Sequence, residues 1–136
     1  MAENPLLRKL GIKPGQKILI LSAPEGYIQA LGTLPAGAEV KTIAEGTFDF
    51  VQLFVRKKED IDNHATTAMQ SLKPGGLLWF TYPKKSSSIK TDITRDNGWE
   101  GLMAAGIRPV TQIAIDDTWS ALRFRPTSEV KTRNKL

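Results

Sequence analysis

Residues 48–82, FDFVQLFVRKKEDIDNHATTAMQSLKPGGLLWFTY, decide the fold. Their ends, FDFVQLFV (48–55) and LLWFTY (77–82), are apolar runs without alternation, as expected of strands covered on both faces. Between them Ile61, Ala65, Ala68, Met69 and Leu72 mark one face of a helix predicted over 59–72. Lys73-Pro74-Gly75-Gly76 closes that helix. A strand, a helix of about fourteen residues and a strand form a right-handed crossover unit, hence a parallel sheet.

Upstream, KILILSA (17–23) is another buried strand, broken by Pro24-Glu25-Gly26 and followed by Tyr27, Ile28, Leu31 and Leu34 at helical spacing. A short helix precedes it, with Asn4 as cap, Pro5 in the first turn, Leu6, Leu7 and Leu10 on one side, and Gly11 as the stop. Downstream, a helix fits 94–105, with Thr94 as cap and Trp99, Leu102 and Met103 inward. PVTQIAI (109–115) and WSALRFR (119–125) are joined only by Asp116-Asp117-Thr118, which implies an antiparallel hairpin. The fold class is therefore α/β, a mainly parallel sheet ending in an antiparallel pair. EVKTI (39–43) is left open: with only Ala44–Thr47 before Phe48, it is either a very short edge strand or an antiparallel one.

Composition narrows the function classes. The 136 residues make one domain, expected over 1–126, with 40% apolar and 24% charged residues, enough for a core. There is no cysteine and a single histidine, His64, so a thiol nucleophile and a Cys- or His-built metal site are excluded. No apolar run approaches the roughly 20 residues that span a bilayer, and no signal-peptide pattern opens the chain; a cytoplasmic protein without membrane association is expected. The formal net charge of +5 is local. Lys84, Lys85, Lys90 and Arg95 against Asp92 give +3 within 84–95; Lys131, Arg133 and Lys135 against Glu129 give +2 within 127–136. The remainder is neutral. Residues 127–136 are too polar to join a core and are expected to be a disordered tail. Three basic residues there do not argue for general nucleic-acid binding.

In an open parallel sheet, ligands bind outside the carboxyl ends of the strands. That topology gathers Glu25, Gly26, Tyr27, Arg56, Lys84, Lys85, Ser86, Ser87, Arg95, Asp117 and Trp119 on one rim as candidate ligand-binding residues. Lys84-Lys85-Ser86-Ser87-Ser88, beside a helix start at Thr94–Arg95, is either a cradle for a small anion, with Arg56 and Arg95 adding bidentate contacts, or a solvated loop. Asp116-Asp117 is either a carboxylate pair or a turn that caps backbone N–H groups. Glu25 is a partner for Arg56 or a dipole-complementing acid at a helix start. Tyr27 and Trp119 either stack on a flat ligand or cover the core, where Trp79 and Trp99 belong.

The order of elements, the turn Leu72-Lys73-Pro74-Gly75-Gly76-Leu77-Leu78, the strand Phe48-Asp49-Phe50-Val51 and the terminal hairpin resemble the class I S-adenosylmethionine-dependent methyltransferases. More closely, five stretches are similar to a family of small, uncharacterised bacterial proteins related to those enzymes: residues 6–12 (LLRKLGI), 23–27 (APEGY), 48–51, 82–87 (YPKKSS) and 118–124 (TWSALRF). The resemblance spans roughly residues 5–126. It implies a reduced, Rossmann-like three-layer sandwich with its third strand missing.

The sequence also departs from those enzymes. Their glycine-rich cofactor turn reads Ser22-Ala23-Pro24-Glu25-Gly26 here, and the second strand ends Lys41-Thr42-Ile43 without an acid for the ribose. These departures lead to the expectation that no cofactor is bound and that the chain is a non-catalytic module for a small anionic ligand. A methyltransferase with an atypical cofactor site is one alternative. A protein-interaction domain, with a second copy or a partner protein at the sheet edge, is another.

Overall fold

The uninterrupted apolar runs become the central strands of one sheet, and a computed structural model describes residues 5–129 of the chain. In order the elements are α1 (Pro5–Leu10), β1 (Lys17–Leu21), α2 (Tyr27–Ala30), β2 (Glu39–Lys41) and β3 (Phe48–Phe54). They continue as α3 (Lys58–Gln70), β4 (Leu72–Pro83), α4 (Glu100–Ala104), β5 (Ile107–Ala114) and β6 (Trp119–Pro126). The strand order is β2-β1-β3-β4-β6-β5. β2, β1, β3 and β4 are parallel, and β6 lies antiparallel to both β4 and β5. No strand lies beyond β2 among the described residues; the sheet has six strands, and the expected mainly parallel α/β sandwich with an antiparallel ending is the architecture found.

Both faces of the sheet are covered, which is why the central strands do not alternate. On one face Ile18, Ile20, Phe50 and Trp79 pack with Leu7 and Leu10 of α1 and with Tyr27. On the other, Leu19, Val51, Leu53 and Phe80 pack with Ile61 and Ala68 of α3 and with Trp99. Each such large side chain, fully buried, stabilises the fold by about 1.5–3 kcal/mol relative to exposure. The Trp79 indole N–H donates to the Leu10 carbonyl at 3.0 Å, fastening the end of α1 to β4. The N-terminus of α3 is closed by two acids: Asp60 Oδ2 accepts the Arg56 N–H at 2.8 Å, and Asp92 Oδ1 accepts the Lys58 N–H at 2.8 Å.

The open question at 39–43 resolves as a parallel edge strand of three residues. Its shortness makes the return possible. Residues 42–47 need only retrace three residues' rise and cross β1, within the reach of about 3.5 Å per residue. Lys73-Pro74-Gly75-Gly76 is not an external turn but a bulge inside β4. Phe48 pairs with Leu72 while Phe50 pairs with Leu77, so four β4 residues stand opposite Asp49. Gly76 is required there, because a Cβ would lie 2.8 Å from Leu72 Cδ1 and 2.9 Å from the Asp49 carbonyl oxygen.

The helix expected over 94–105 shrinks to Glu100–Ala104. Thr94 instead bridges Asn97, and its carbonyl accepts the Trp99 indole N–H at 2.9 Å. Met103, expected inward, is 48% exposed. The segment expected as a tail begins as a 3₁₀ turn over Thr127–Glu129, with the Thr127 N–H donating to the Gly106 carbonyl at 2.8 Å. Asn4 and residues 130–136, including most of the expected tail, lie outside the described residues. No helix among the described residues is long and apolar enough to cross a membrane.

Candidate ligand-binding rim

The carboxyl ends of β1, β3, β4 and β5 meet the start of β6 at one edge of the sheet, and five of the predicted rim residues, Glu25, Gly26, Lys84, Lys85 and Arg95, line two grooves there. The first, of about 360 Å³, follows the turn after β1; Ile20, Ser22, Glu25, Gly26, Ile28 and Thr42 are among its lining. Ser22 has φ 60, the one non-glycine residue with positive φ among those described, a conformation that normally costs a side-chain-bearing residue energy. Gly26 has φ 86 and nothing within 4 Å of the position a Cβ would take. The N–H groups of Ala23, Glu25 and Gly26 enter no hydrogen bond among the described residues. The turn is therefore held in shape by β1 and α2 while its backbone donors stay uncommitted.

The second groove, of about 380 Å³, lies between the loop after β4 and the β5–β6 pair. Tyr82, Lys84, Lys85, Arg95, Asp96 and Gln112 are among its lining. Arg95 pairs with Asp96 at 3.1 Å, and Gln112 Nε2 donates to the Tyr82 hydroxyl at 2.9 Å. Burial, as its first cause, pushes the Tyr82 phenol upward from its ordinary pKa. Lys84, Lys85 and Arg95 thus come together as the local +3 charge suggested. Ser86 and Ser87 line neither groove. The Ser87 hydroxyl donates to the Lys84 carbonyl at 2.8 Å and accepts the Ile89 N–H at 3.3 Å, so it shapes its own loop. The expected helix start at Thr94–Arg95 is absent, because that segment is a bridged turn; the helix-terminus contribution to an anion cradle falls away with it.

Between the grooves the candidate aromatic residues belong to the core. Tyr27 is 7% exposed and Trp119 5%. The Tyr27 ring meets Phe54 edge-on at 4.7 Å, and Phe54 meets Trp119 at 5.1 Å. Arg56 lies over the Trp119 ring at 5.8 Å and forms no ion pair with Glu25 among the described residues. Asp116 takes the capping role: its Oδ1 accepts the N–H groups of Thr118 at 2.8 Å and Trp119 at 2.9 Å, while Asp117 stays exposed.

A residue the sequence reading passed over, Gln52, sits fully buried beneath the rim. Its Oε1 accepts the Tyr27 hydroxyl at 3.0 Å and its Nε2 donates to Thr81 Oγ1 at 2.8 Å. Desolvation pushes the Tyr27 phenol up to about 12, with the hydrogen bond to Gln52 opposing it. An amide inside the apolar run FDFVQLFV is the signal that finds it. Among the described residues there is no group of three or more His, Asp or Glu able to hold a metal ion.

This strand order, with a rim turn after the first strand and a closing antiparallel hairpin, is met in solved structures. The fold is that of the class I methyltransferases. The SAH complex of DhpI superposes with a TM-score of 0.62 at 14% identity, covering 90% of this chain and 81% of that one. Fibrillarin, the pre-rRNA processing protein of Methanococcus jannaschii, gives 0.61 at 17% identity over 92% and 75%. The ribosomal protein L11 methylase of Lactobacillus delbrueckii subsp. bulgaricus gives 0.57 at 10% identity over 88% and 74%. At such identities the likeness establishes fold. No family model and no curated sequence matches the chain.

The expectation of a cofactor-free scaffold is corrected by these structures, since DhpI, which shares this fold, is solved both with SAH and with SAM and HEP. Physically, the error came from equating a missing glycine with a missing backbone conformation. Ser22 adopts the left-handed φ that a glycine would otherwise supply.

Proposed function

We propose that the chain is an S-adenosylmethionine-dependent protein of the class I methyltransferase type with an atypical cofactor site. One observation carries this: the turn after β1 keeps a left-handed Ser22, an open Gly26 and three uncommitted N–H groups around a groove that reaches the end of β2. The volume of the groove falls within the roughly 300–1,000 Å³ usual for small-ligand sites. The residues present suit the cofactor in part. The 22–26 backbone offers donors to its carboxylate, as bare backbone does at anion sites. The Glu25 carboxylate complements its positive charge. The hydroxyl of Thr42 stands where an acid would hold the ribose.

When bound, the cofactor supplies an electrophilic methyl group. The chain's own contribution is binding and orientation: the Tyr27–Gln52–Thr81 chain and the rings beneath the rim fix the turn from below. The second groove, with Lys84, Lys85 and Arg95 in its lining, suits an acceptor bearing a carboxylate or phosphate, which keeps the anion preference expected from the sequence.

Calorimetric titration with S-adenosylmethionine and S-adenosylhomocysteine tests the proposal. Saturable heat is expected from both, weakened by roughly tenfold or more in Gly26→Val, which places a branched side chain in the open space of the turn. No heat from either ligand at millimolar concentration would overturn it.

A further inference from the structure

The floor of the second groove is built on one face of the sheet. Tyr82 of β4 stands directly opposite Ser120 of β6, and Gln112 of β5 stands opposite Leu122. Directly paired residues share a face, here the face of Phe80, Leu122 and Phe124. The buried Tyr82 ring meets Trp99 edge-on at 5.5 Å, which fixes the direction of its phenol. Tyr82, Ser120 and Gln112 all line the groove; its charged lining is Lys84, Lys85 and Arg95 with one acid, Asp96.

Two hydroxyl groups of this floor are uncommitted donors. The Tyr82 hydroxyl accepts the Gln112 Nε2–H at 2.9 Å, and its own proton has no acceptor among the described residues. The Ser120 hydroxyl, on a residue only 6% exposed, enters no hydrogen bond among the described residues. Burial, opposed by the charge of Arg95, holds the Tyr82 phenol above its ordinary pKa, so it remains a donor at neutral pH. Asp96 is occupied by Arg95 at 3.1 Å, and neither lysine forms an ion pair among the described residues. Three cations and one acid leave the lining at +2. A carboxylate offers two oxygens and one charge. A phosphate monoester offers three oxygens and about −1.5 to −2 charge at neutral pH, which matches both the charge and the extra donors.

We infer that the second groove selects a terminal phosphate monoester, with Tyr82 and Ser120 as specificity-determining donors beneath it and Lys84 and Lys85 as its counter-charges. This rests on the reading of the groove as the acceptor's site. The acceptor is then a small molecule or chain end that carries a phosphate monoester, not a phosphodiester backbone.

Amide NMR titration of the isotope-labelled full chain tests this with methyl phosphate, dimethyl phosphate and acetate. Methyl phosphate should shift the Lys84, Lys85 and Ser120 amides and the Gln112 side-chain amide saturably. Dimethyl phosphate and acetate should bind at least roughly tenfold more weakly. Tyr82→Phe keeps the ring against Trp99 and should weaken methyl phosphate by about tenfold, the size of one lost hydrogen bond to a charged group. Should that variant unfold, Ser120→Ala is a nearly isosteric change that should lower affinity several-fold; a loss in either folded variant supports the inference. No saturable shift with methyl phosphate, equal binding of acetate or the diester, or unchanged affinity in the folded variants would overturn it. Calorimetry with S-adenosylhomocysteine on the same samples separates the two readings: methyl phosphate binding without cofactor heat removes only the methyl-transfer reading, and the reverse outcome removes only this one.

Discussion

At the β1 end of the rim the groove is shaped by backbone, whereas at the β4–β6 end several polar and charged side chains are engaged with backbone groups or with a neighbouring side chain. Ser22, Gly26 and the N–H groups between them form a turn whose donors have no acceptor. Across the rim, Asp116 is spent on two N–H groups, Asp92 on the start of α3, Ser87 on its own loop and Arg95 on Asp96. The conspicuous side chains therefore do mostly structural jobs, and the inconspicuous turn keeps its capacity to bind. Charged and hydroxyl residues close in sequence tend to satisfy each other locally; a backbone held by a strand on one side and a helix on the other cannot.

That contrast can be broken most forcefully at Trp119. If the ring is core and not a ligand platform, Trp119→Ala should destabilise the chain by about 3–5 kcal/mol in urea unfolding. A loss below about 1 kcal/mol would make the ring a free surface and the two ends of the rim alike. Next in size is Tyr27→Phe, which leaves the buried Gln52 Oε1 without its donor and should cost about 1–3 kcal/mol. An unchanged midpoint would separate the turn from the polar chain beneath it.

The two hairpin aspartates should differ. Asp116→Ala removes the acceptor of two N–H groups and is expected to cost about 1 kcal/mol. Asp117→Ala should stay within about 0.5 kcal/mol, as exposed positions do. Equal effects in denaturant titrations would restore the paired-carboxylate reading.

The smallest effect, nil at neutral pH, concerns the two tyrosines. Tyr27 is raised from 10.0 to about 12 and Tyr82 is raised as well, both chiefly by burial. The folded state holds these protons more tightly than the unfolded chain. The contribution of Tyr27 is then complete below pH 10 and is lost as pH rises from 10 towards 12. Phenolate absorbance should show no step at the ordinary tyrosine pKa in the native chain. A normal step there would place a phenol in water.

The elements most legible in the sequence were those whose burial is unconditional. KILIL, FDFVQLF and LLWFTY carry polar residues only at Lys17 and Asp49 near the strand starts and at the buried Gln52, Thr81 and Tyr82, so they read as central strands wherever their partners lie. Less legible were elements whose length depends on neighbours. Residues 94–99 carry helical spacing but fold as a bridged turn, because Thr94 is held by Asn97 and by the indole of Trp99. Lys73–Gly76 reads as a turn, yet strand pairing on either side absorbs it as a bulge. Topology brought Glu25 and Gly26 to one groove and Lys84, Lys85 and Arg95 to another. The roles of individual residues were not legible, since a hydrogen-bond partner 25 or 34 positions away, as for Tyr27 with Gln52 or Lys58 with Asp92, leaves no local trace.

By itself the sequence determined the α/β class, the parallel core and the antiparallel ending, because the periodicity of burial is a local quantity; the missing third strand was implied by the resemblance. Tertiary structure alone decided that β2 is a parallel strand of three residues and that Ser22 takes a left-handed conformation. Each of those depends on what packs against the residue, and packing is settled only when distant segments meet.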